Sequence, residues 1–418
     1  MPTISSFDWE KGYWAADIIV SHSKKATAKI CIAGDWAPIR TFEKVMETSP
    51  ESVYGNLLPI LRSADLSIVN LEAPLSDRGD AVFKSGAVFK GRQQHIKALT
   101  AVPFHVVTLA NNHVFDYGVD AFEDTVDVLN QHHIQWTGAG MSLEEACTPL
   151  LIDVNDLKIA IVNFSEGEDL TSAGEKPGVM GWNLSKIEET IKSLKSKVDF
   201  IIVISHCGIE YIPFPPPYVA RAFEQMARAG ADIVIGHHPH VPQGIQFYNN
   251  IPICYSLGNF VFYQQTDLYY RKLGYLVNLE LNKDSLVSFE LVPYEINDPG
   301  LSLLKKSKLH TFREKFKEIS LPLQDEKKLE KAWHGFLHYY GINGFFNEIS
   351  MITEKIQTDP QKGAAMFRNR MTTLQHCHHW KDFMTRIVEG KLESSPLWAR
   401  SLIDEWLTCK IDGFGLKE

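Results

Sequence analysis

Between Thr27 and about Tyr294 the apolar positions fall into short runs separated by segments of helical period. The runs at residues 28–33, 66–70, 105–109, 158–164, 200–205 and 233–236 are too short for core helices, and they predict buried strands. Residues 56–63, 92–101, 118–131, 186–196 and 218–229 repeat their apolar positions at helical spacing and predict the connecting helices. Beyond Gly236 the pattern changes. Residues 244–248, 253–256, 274–281 and 286–294 predict four further strands, with turn signals at Asn249-Asn250 and Lys283-Asp284, which finish the sheet as an antiparallel meander. Pro213, Pro215, Pro216 and Pro217 force an extended loop ahead of residues 218–229, because each ring fixes φ and removes a backbone donor. From about Pro299 only amphipathic helical segments remain, at 305–318, 325–340, 343–357, 360–376 and 398–408. The expected organisation is therefore a leader at 1–26 packed on a mixed α/β domain at 27–298, followed by an all-α appendage at 299–418.

Composition adds little to this picture. Hydrophobic residues make up 44% and charged residues 22% of 418, as in an ordinary globular chain. A net charge of -9 speaks against binding nucleic acid through bulk positive charge, and no nucleic-acid partner is expected. The six cysteines are scattered without a CxxC pair and read as reduced thiols. Ile18-Ile19-Val20 is far too short for a signal peptide or a membrane span, and no later run approaches 18 apolar residues. A cytoplasmic protein with no membrane span is expected.

What changes the picture is where polar residues stand. Five of the expected strands run directly into residues that bind metals: Asp35; Asn70-Leu71-Glu72; Asn111-Asn112-His113; His206; and His237-His238-Pro239-His240. Ligands of open α/β sheets bind beyond the carboxyl ends of the strands, so these five clusters are expected to meet at one edge of one sheet. Carboxylates mixed with imidazoles suit Zn, Mn or Fe, and two such ions about 3.5–4 Å apart can clamp a phosphoryl-type oxygen. Taken singly each cluster has an ordinary structural reading. Asp35 also reads as a turn residue, His206 as a core imidazole and Asn112 as a helix cap. Three histidines around one proline are harder to explain by packing.

The same residues carry a family resemblance. Gly34-Asp35, Asn70-Leu71-Glu72, Leu109-Ala110-Asn111-Asn112-His113 with Asp116-Tyr117-Gly118, Ser205-His206-Cys207-Gly208, His238-Pro239-His240 and Ser256-Leu257-Gly258-Asn259 follow in order the CapA branch of the calcineurin-like metallophosphatases. The resemblance spans about residues 27–265 and implies a metallophosphatase-like layered β-sheet core with flanking helices. It implies one or two divalent transition-metal ions (Mn, Fe or Zn). Asp35 and His240 would hold the first ion, Glu72 would bridge, and Asn112, His206 and His238 would hold the second. His113 would stand near the substrate oxygen as general acid or charge stabiliser. The superfamily's Asp-x-His becomes Asp35-Trp36-Ala37 here, and Glu72 stands where it has a shorter aspartate, which puts its usual phosphoesterase activity in doubt.

Lys84, Lys90 and Arg92 offer cations for an acidic substrate, against the alternative of a solvated loop. Glu210 and Asp116 are expected to orient His206 and His113 from behind, with an ordinary loop or helix-cap role as the alternative. His376-Cys377-His378-His379 in the tail reads as structural, because neighbours on a helix cannot face one ion. The resemblance implies metal-dependent hydrolysis or processing of polyglutamate, or of a phosphate ester, in a capsule-related pathway. The alternative is a scaffold that binds an acidic polymer through a degenerate metal site. The tail is further expected to offer a surface for a protein partner.

Overall fold

The computed structural model describes residues 2–16 and 26–411; Ile18-Ile19-Val20 and the last seven residues lie outside them. Sixteen strands are described. The first five are β1 (Tyr13–Ala15), β2 (Ala28–Trp36), β3 (Leu66–Leu71), β4 (Val106–Thr108) and β5 (Gln135–Thr137). Next come β6 (Ala139–Gly140), β7 (Leu150–Val154), β8 (Leu157–Ser165), β9 (Gly178–Val179), β10 (Phe200–His206) and β11 (Ile233–His237). The last are β12 (Pro242–Tyr248), β13 (Ile251–Leu257), β14 (Leu273–Asn282), β15 (Ser285–Ile296) and β16 (Leu301–Leu303).

They form two main sheets rather than the single sheet that the pattern predicts. One runs β1-β15-β14-β2-β3-β4-β5 with β16 on β15, and the other runs β12-β13-β11-β10-β8-β7. A small ribbon pairs β6 with β9. The expected meander is also divided, because the hairpin β12-β13 closes the second sheet while β14-β15 belongs to the first. Apolar runs show that a strand is buried on both faces, but they do not show which sheet it joins. Both sheets have a parallel centre: β2, β3, β4 and β5 in one, and β8, β10, β11 and β13 in the other.

Alternation along the strands explains the layers. Ile30 and Ile32 of β2, Leu66 and Ile68 of β3, and Val106 of β4 join a core shared with Ile159, Ile161, Ile202 and Ile204 of the second sheet. Their neighbours Cys31, Ala33, Val69, Leu71 and Val107 face a separate apolar layer with Phe42, Leu57, Leu99 and Phe122 from outer helices. One face of each strand thus packs on the other sheet and the opposite face on helices.

Helical expectations hold closely. The helix Gly118–Gln131 has the expected bounds, and Pro217–Ala229 starts on the last proline of the extended loop, where a missing N–H costs nothing, and stops at Gly230 with φ 120°. The tail contributes Lys306–Ser320, Glu326–Thr358, Pro360–Thr372, Leu374–Val388 and Leu397–Thr408. Gly341 at φ 57° breaks the second of these between the two segments read from the sequence. One correction matters for function. The segment expected as a single helix over 360–376 ends at Thr373, and a new helix begins at Leu374.

The core shared by the two sheets continues into the tail through Phe312, Phe316, Trp333 and Trp406. Trp406 stacks on Tyr270 at 3.6 Å, and Trp398 meets Phe214 edge-on. Trp333 and Trp380 bond within the tail, to Asp382 and Glu348. Among the described residues no helix is long and apolar enough to cross a membrane. The cysteines are unpaired.

Candidate metal centre

The carboxyl ends of the two parallel centres face one another, and the strand-end polar residues fill the space between them. Asp35 reaches this space because of a bulge. β2 and β3 pair Ile30 with Leu66 and Ile32 with Ile68, and then skip to Asp35 opposite Asn70. The extra residue turns Asp35 to the side already occupied by Asn70. Gly34 permits it, since a Cβ there would overlap the Gly258 carbonyl oxygen. On the second sheet His206 and His237 are register partners at the ends of β10 and β11. Beyond them the chain holds His238 at φ 98° and His240 at φ 57°, backbone that non-glycine residues rarely adopt. Strain of this kind persists where the surroundings over-determine it, typically at sites that hold a ligand.

Three donor atoms gather around a fourth. His206 Nε2 lies 3.0 Å from Asn112 Oδ1, 3.1 Å from His238 Nδ1 and 3.3 Å from Glu72 Oε1. Such spacings are those between ligands of one ion held at about 2.0–2.2 Å. Beside this group His240 Nε2 is 3.8 Å from Glu72 Oε1, and His240 Nδ1 is 3.4 Å from Asp35 Oδ2. Two metal-compatible groups result, Asp35-Glu72-His206 and Glu72-His238-His240; Glu72 is common to both, and they divide the histidines differently from the split that the resemblance implies.

The chemistry of these donors fits a cation. Glu72 is fully buried and neither of its oxygens has a hydrogen-bond partner; Asp35 Oδ2 and His237 Nδ1 are unpartnered as well. An uncompensated buried carboxylate costs several kcal/mol, on the order of 2–7 even for a neutral polar group, so a positive charge is the expected complement. The protonation of the cluster says the same. Burial, and then the charge of Asp35, push the Glu72 carboxyl well above its usual range. Burial would also raise Asp35, but the neighbouring His240, His237 and His206 bring it below the usual range. Burial lowers His206 strongly, with His238 adding to the effect. It would lower His240 too, yet Glu72 and Asp35 hold that imidazole up to about 10. A bare cluster therefore keeps a proton where a metal ion would supply charge.

Residues 29–264 match the family described as bacterial capsule synthesis protein PGA_cap. This chain belongs to that CapA family. The family is part of the metallophosphatase-like superfamily. Among its relatives is PGA biosynthesis protein CapA of Bacillus subtilis (strain 168), 32% identical over 281 residues that cover 66% of this chain and 73% of that protein. Capsule biosynthesis protein CapA of Bacillus anthracis is 28% identical over 326 residues, covering 75% and 78%. A probable polyglutamine synthesis accessory protein of Mycobacterium tuberculosis is 26% identical over 293 residues, covering 64% and 76%.

In this CapA-family chain the six residues named as ligands, Asp35, Glu72, Asn112, His206, His238 and His240, all lie in the one buried cluster. They meet across two facing sheets rather than on one sheet edge. His113 stands next to Asn112 and is held by Asp116, whose Oδ2 accepts from His113 Nδ1 at 2.6 Å. Lys84 Nζ donates to Asp116 Oδ1 at 2.8 Å and to the Asn112 carbonyl at 2.6 Å. Burial, and then the Lys84 charge, lower the His113 imidazole and keep it neutral near pH 7. The Phe89 ring lies tilted against His113 at 4.3 Å and meets Phe262 edge-on; Phe262 in turn lies against His240.

Lys90 and Arg92 point elsewhere. Lys90 bonds the Arg78 carbonyl and covers the Tyr117 ring at 4.2 Å, while Arg92 faces Glu43 and Glu47. Both line a separate surface cleft with Arg40 and Glu43. Of the three cations in that stretch, Lys84 is the one turned inward, which no local pattern distinguishes. Glu210 lies on the wall of a cavity of about 790 Å³, along with Glu168, Gln375 and His376. Orientation of His206 comes instead from Asn70, whose Nδ2 is 3.2 Å from His206 Nδ1 and donates to Asp35 Oδ1 at 2.8 Å.

Several functional neighbours escaped the sequence reading. Asn259, read as a turn residue, accepts at Oδ1 from His240 Nδ1 at 2.8 Å. Glu166 and Glu168 follow β8, a sixth strand end with acidic residues, and that signal was available. Gln375 comes from the tail and sits 3.1 Å from His238 Nε2. The tail's histidine run disperses as expected. His376 contacts Arg370, Cys377 bonds the Met371 carbonyl, His378 stacks on Tyr218, and His379 is buried among Phe336 and Tyr340.

Proposed function

We propose that this chain is a metal-dependent hydrolase that processes an acidic substrate, a polyglutamate chain or a phosphate ester, in poly-γ-glutamate or capsule synthesis. The observation that carries this reading is Glu72, a fully buried carboxylate without hydrogen-bond partners that is shared by two groups of metal-binding side chains. Asp35 and His240 would hold one divalent ion, Asn112, His206 and His238 a second, with Glu72 between them. Ions of this type supply Lewis acidity and a nucleophile derived from water at neutral pH. The side chains do the rest. Asn70 and Asn259 fix the ring planes of His206 and His240. Asp116 fixes His113, neutral and with its Nδ1 proton engaged, as the proton-handling group beside the cluster. Names of the relatives support the pathway: one is a PGA biosynthesis protein and another a probable polyglutamine synthesis accessory protein.

A second reading is favoured by how closed the centre is. The cleft touching Asn112, His206 and His238 has room for about 10 Å³, and Gln375 of the tail forms part of its wall. A protein that binds an acidic polymer without turning it over would be built this way.

Metal analysis of the purified chain, followed by turnover assays with added manganese on poly-γ-glutamate and on generic phosphomonoesters and phosphodiesters, separates the two. The hydrolase requires bound metal, turnover with at least one of these substrates, and a fall of about 10²–10⁴-fold in His113→Ala with metal content unchanged. Bound metal with polymer binding and no turnover establishes the scaffold. A chain that takes up no metal refutes both.

A further inference from the structure

We infer that the helical tail is part of the metal centre, because Gln375 sets the tautomer of His238; this rests on the ligand assignment proposed above. His238 lies between two partners. Its Nδ1 faces His206 Nε2 at 3.1 Å, inside the cluster, and its Nε2 is 3.1 Å from Gln375 Oε1. An amide oxygen only accepts, so the ring proton belongs on Nε2 and the Nδ1 lone pair is left for a cation. The reverse tautomer would aim an N–H into the group of donors. Metal-binding histidines generally have their other ring nitrogen bound to such a partner, and losing it typically weakens the metal by 10–100-fold.

No nearer acceptor competes for this role among the described residues. Glu168 Oε2 is 4.0 Å from His238 Nε2, beyond hydrogen-bond reach, and it already accepts from Asn112 Nδ2 at 2.8 Å. Gln375 is itself fixed. Its backbone N–H donates to Glu166 Oε2 at 3.2 Å, and Glu166 is held by the Gly208 N–H and the Tyr218 hydroxyl. Three residues on, His378 stacks flat on Tyr218 at 4.3 Å. The break at Thr373, where the apolar pattern alone continues one helix, puts Gln375 in the first turn of a new helix aimed at this spot.

The tail reaches a second ligand indirectly. Glu168 holds the Asn112 amide nitrogen and so turns Asn112 Oδ1 towards His206, and Asn369 of the tail donates to Glu168 Oε1 at 3.1 Å. Asp35 and His240, by contrast, are oriented by Asn70 and Asn259 of the α/β core. The tail therefore supports the ion held by Asn112, His206 and His238, and leaves the other half to the core.

Gln375→Met keeps the side-chain length and removes the strong acceptor. Manganese titration by calorimetry on the full chain is expected to show one Kd rising about 10–100-fold in this variant, with the other site, where the wild type shows two, unchanged. The second readout needs no metal. Selective ¹⁵N-histidine NMR of the metal-free wild type is expected to show His238, identified by its loss in His238→Ala, as the Nε2–H tautomer, and a mixed population in Gln375→Met. An Nδ1–H tautomer in the wild type overturns the inference even should the variant not fold. Unchanged manganese affinity in a folded Gln375→Met overturns it as well. A wild type that binds no manganese instead refutes the ligand assignment beneath it.

Discussion

Asn112 and His206 stand 94 positions apart in the chain, and the Oδ1 of one lies 3.0 Å from the Nε2 of the other. Asn112 follows β4 of the first sheet and His206 ends β10 of the second. The cluster therefore exists only once the two sheets have packed, and a metal ion held there would link them. Each sheet alone offers carboxylate and amide donors on one side or imidazoles on the other. Folding and metal binding are coupled through this division.

The first prediction follows from Glu72. Manganese at 100 times its Kd should stabilise the wild type by about 2.7 kcal/mol. Glu72→Gln should lose that increment. Without metal it should be about as stable as the wild type, because burial already pushes the Glu72 carboxyl towards its neutral form and the amide is a neutral group of the same size. Thermal unfolding with manganese and with chelator measures both. An equal manganese-dependent shift in the variant would show that Glu72 holds no metal.

Lys84 and Asp116 form a pair that is buried at both ends, with side chains 4% and 1% exposed. Removing either charge alone takes away the direct ion partner of the other, although Asp116 keeps His113 and Lys84 keeps the Asn112 carbonyl. Lys84→Met and Asp116→Asn are each expected to cost about 3–5 kcal/mol. The double variant should cost clearly less than the sum of the two. Denaturant unfolding of the four proteins gives the coupling, and strict additivity would mean that the pair contributes nothing as a pair.

These two cases also show what was legible beforehand. The residues of the cluster could be read because apolar strands end abruptly in Asp35, Glu72, Asn112, His206 and His238, and a strand end is a position that sequence pattern marks well. The partition into two sheets could not, since Ile68 and Ile202 are both simply buried apolar residues until their register is known. Nor could the choice of Lys84 over Lys90 and Arg92, because which cation turns inward depends on where Asp116 lies, 32 positions further on. Gln375 was hidden for a similar reason. Its helical pattern runs smoothly from 360 to 376, and the break at Thr373 coincides with tertiary contacts to Glu166 and Tyr218 that no local pattern shows.

Gly34 tests the bulge that delivers Asp35. A methyl group there would collide with the Gly258 carbonyl, so Gly34→Ala must push β2 away from the Gly258-Asn259 turn. A loss of about 1–3 kcal/mol is expected from the overpacking. Because Asn259 also holds His240, manganese affinity should fall with it. Unfolding and manganese titration of Gly34→Ala check the two effects, and a variant as stable and as tight as the wild type would show that the close approach is not needed.

His379 provides a pH test within the tail itself. It is buried in the tail, 4.2 Å from the ring of Tyr340 and 4.9 Å from that of Phe336, and its Nε2 has no hydrogen-bond partner. Burial pushes its imidazole down to about 3. In the unfolded chain it titrates near about 6.5. Between these values the unfolded state binds a proton that the folded state refuses, so stability falls as the pH drops from about 6.5 towards 3 and levels off below that. The slope from this one residue is at most about 1.4 kcal/mol per pH unit. His379→Phe removes the titration and keeps an aromatic ring in the same apolar setting. Relative to the wild type, the variant should therefore gain about 2–3 kcal/mol between pH 7 and pH 4.5. Urea unfolding at both values, followed by tryptophan fluorescence from the tail, measures this difference, in which the other titrating groups cancel. A stability difference that stays constant over that range would mean that His379 takes up its proton without disturbing the folded tail.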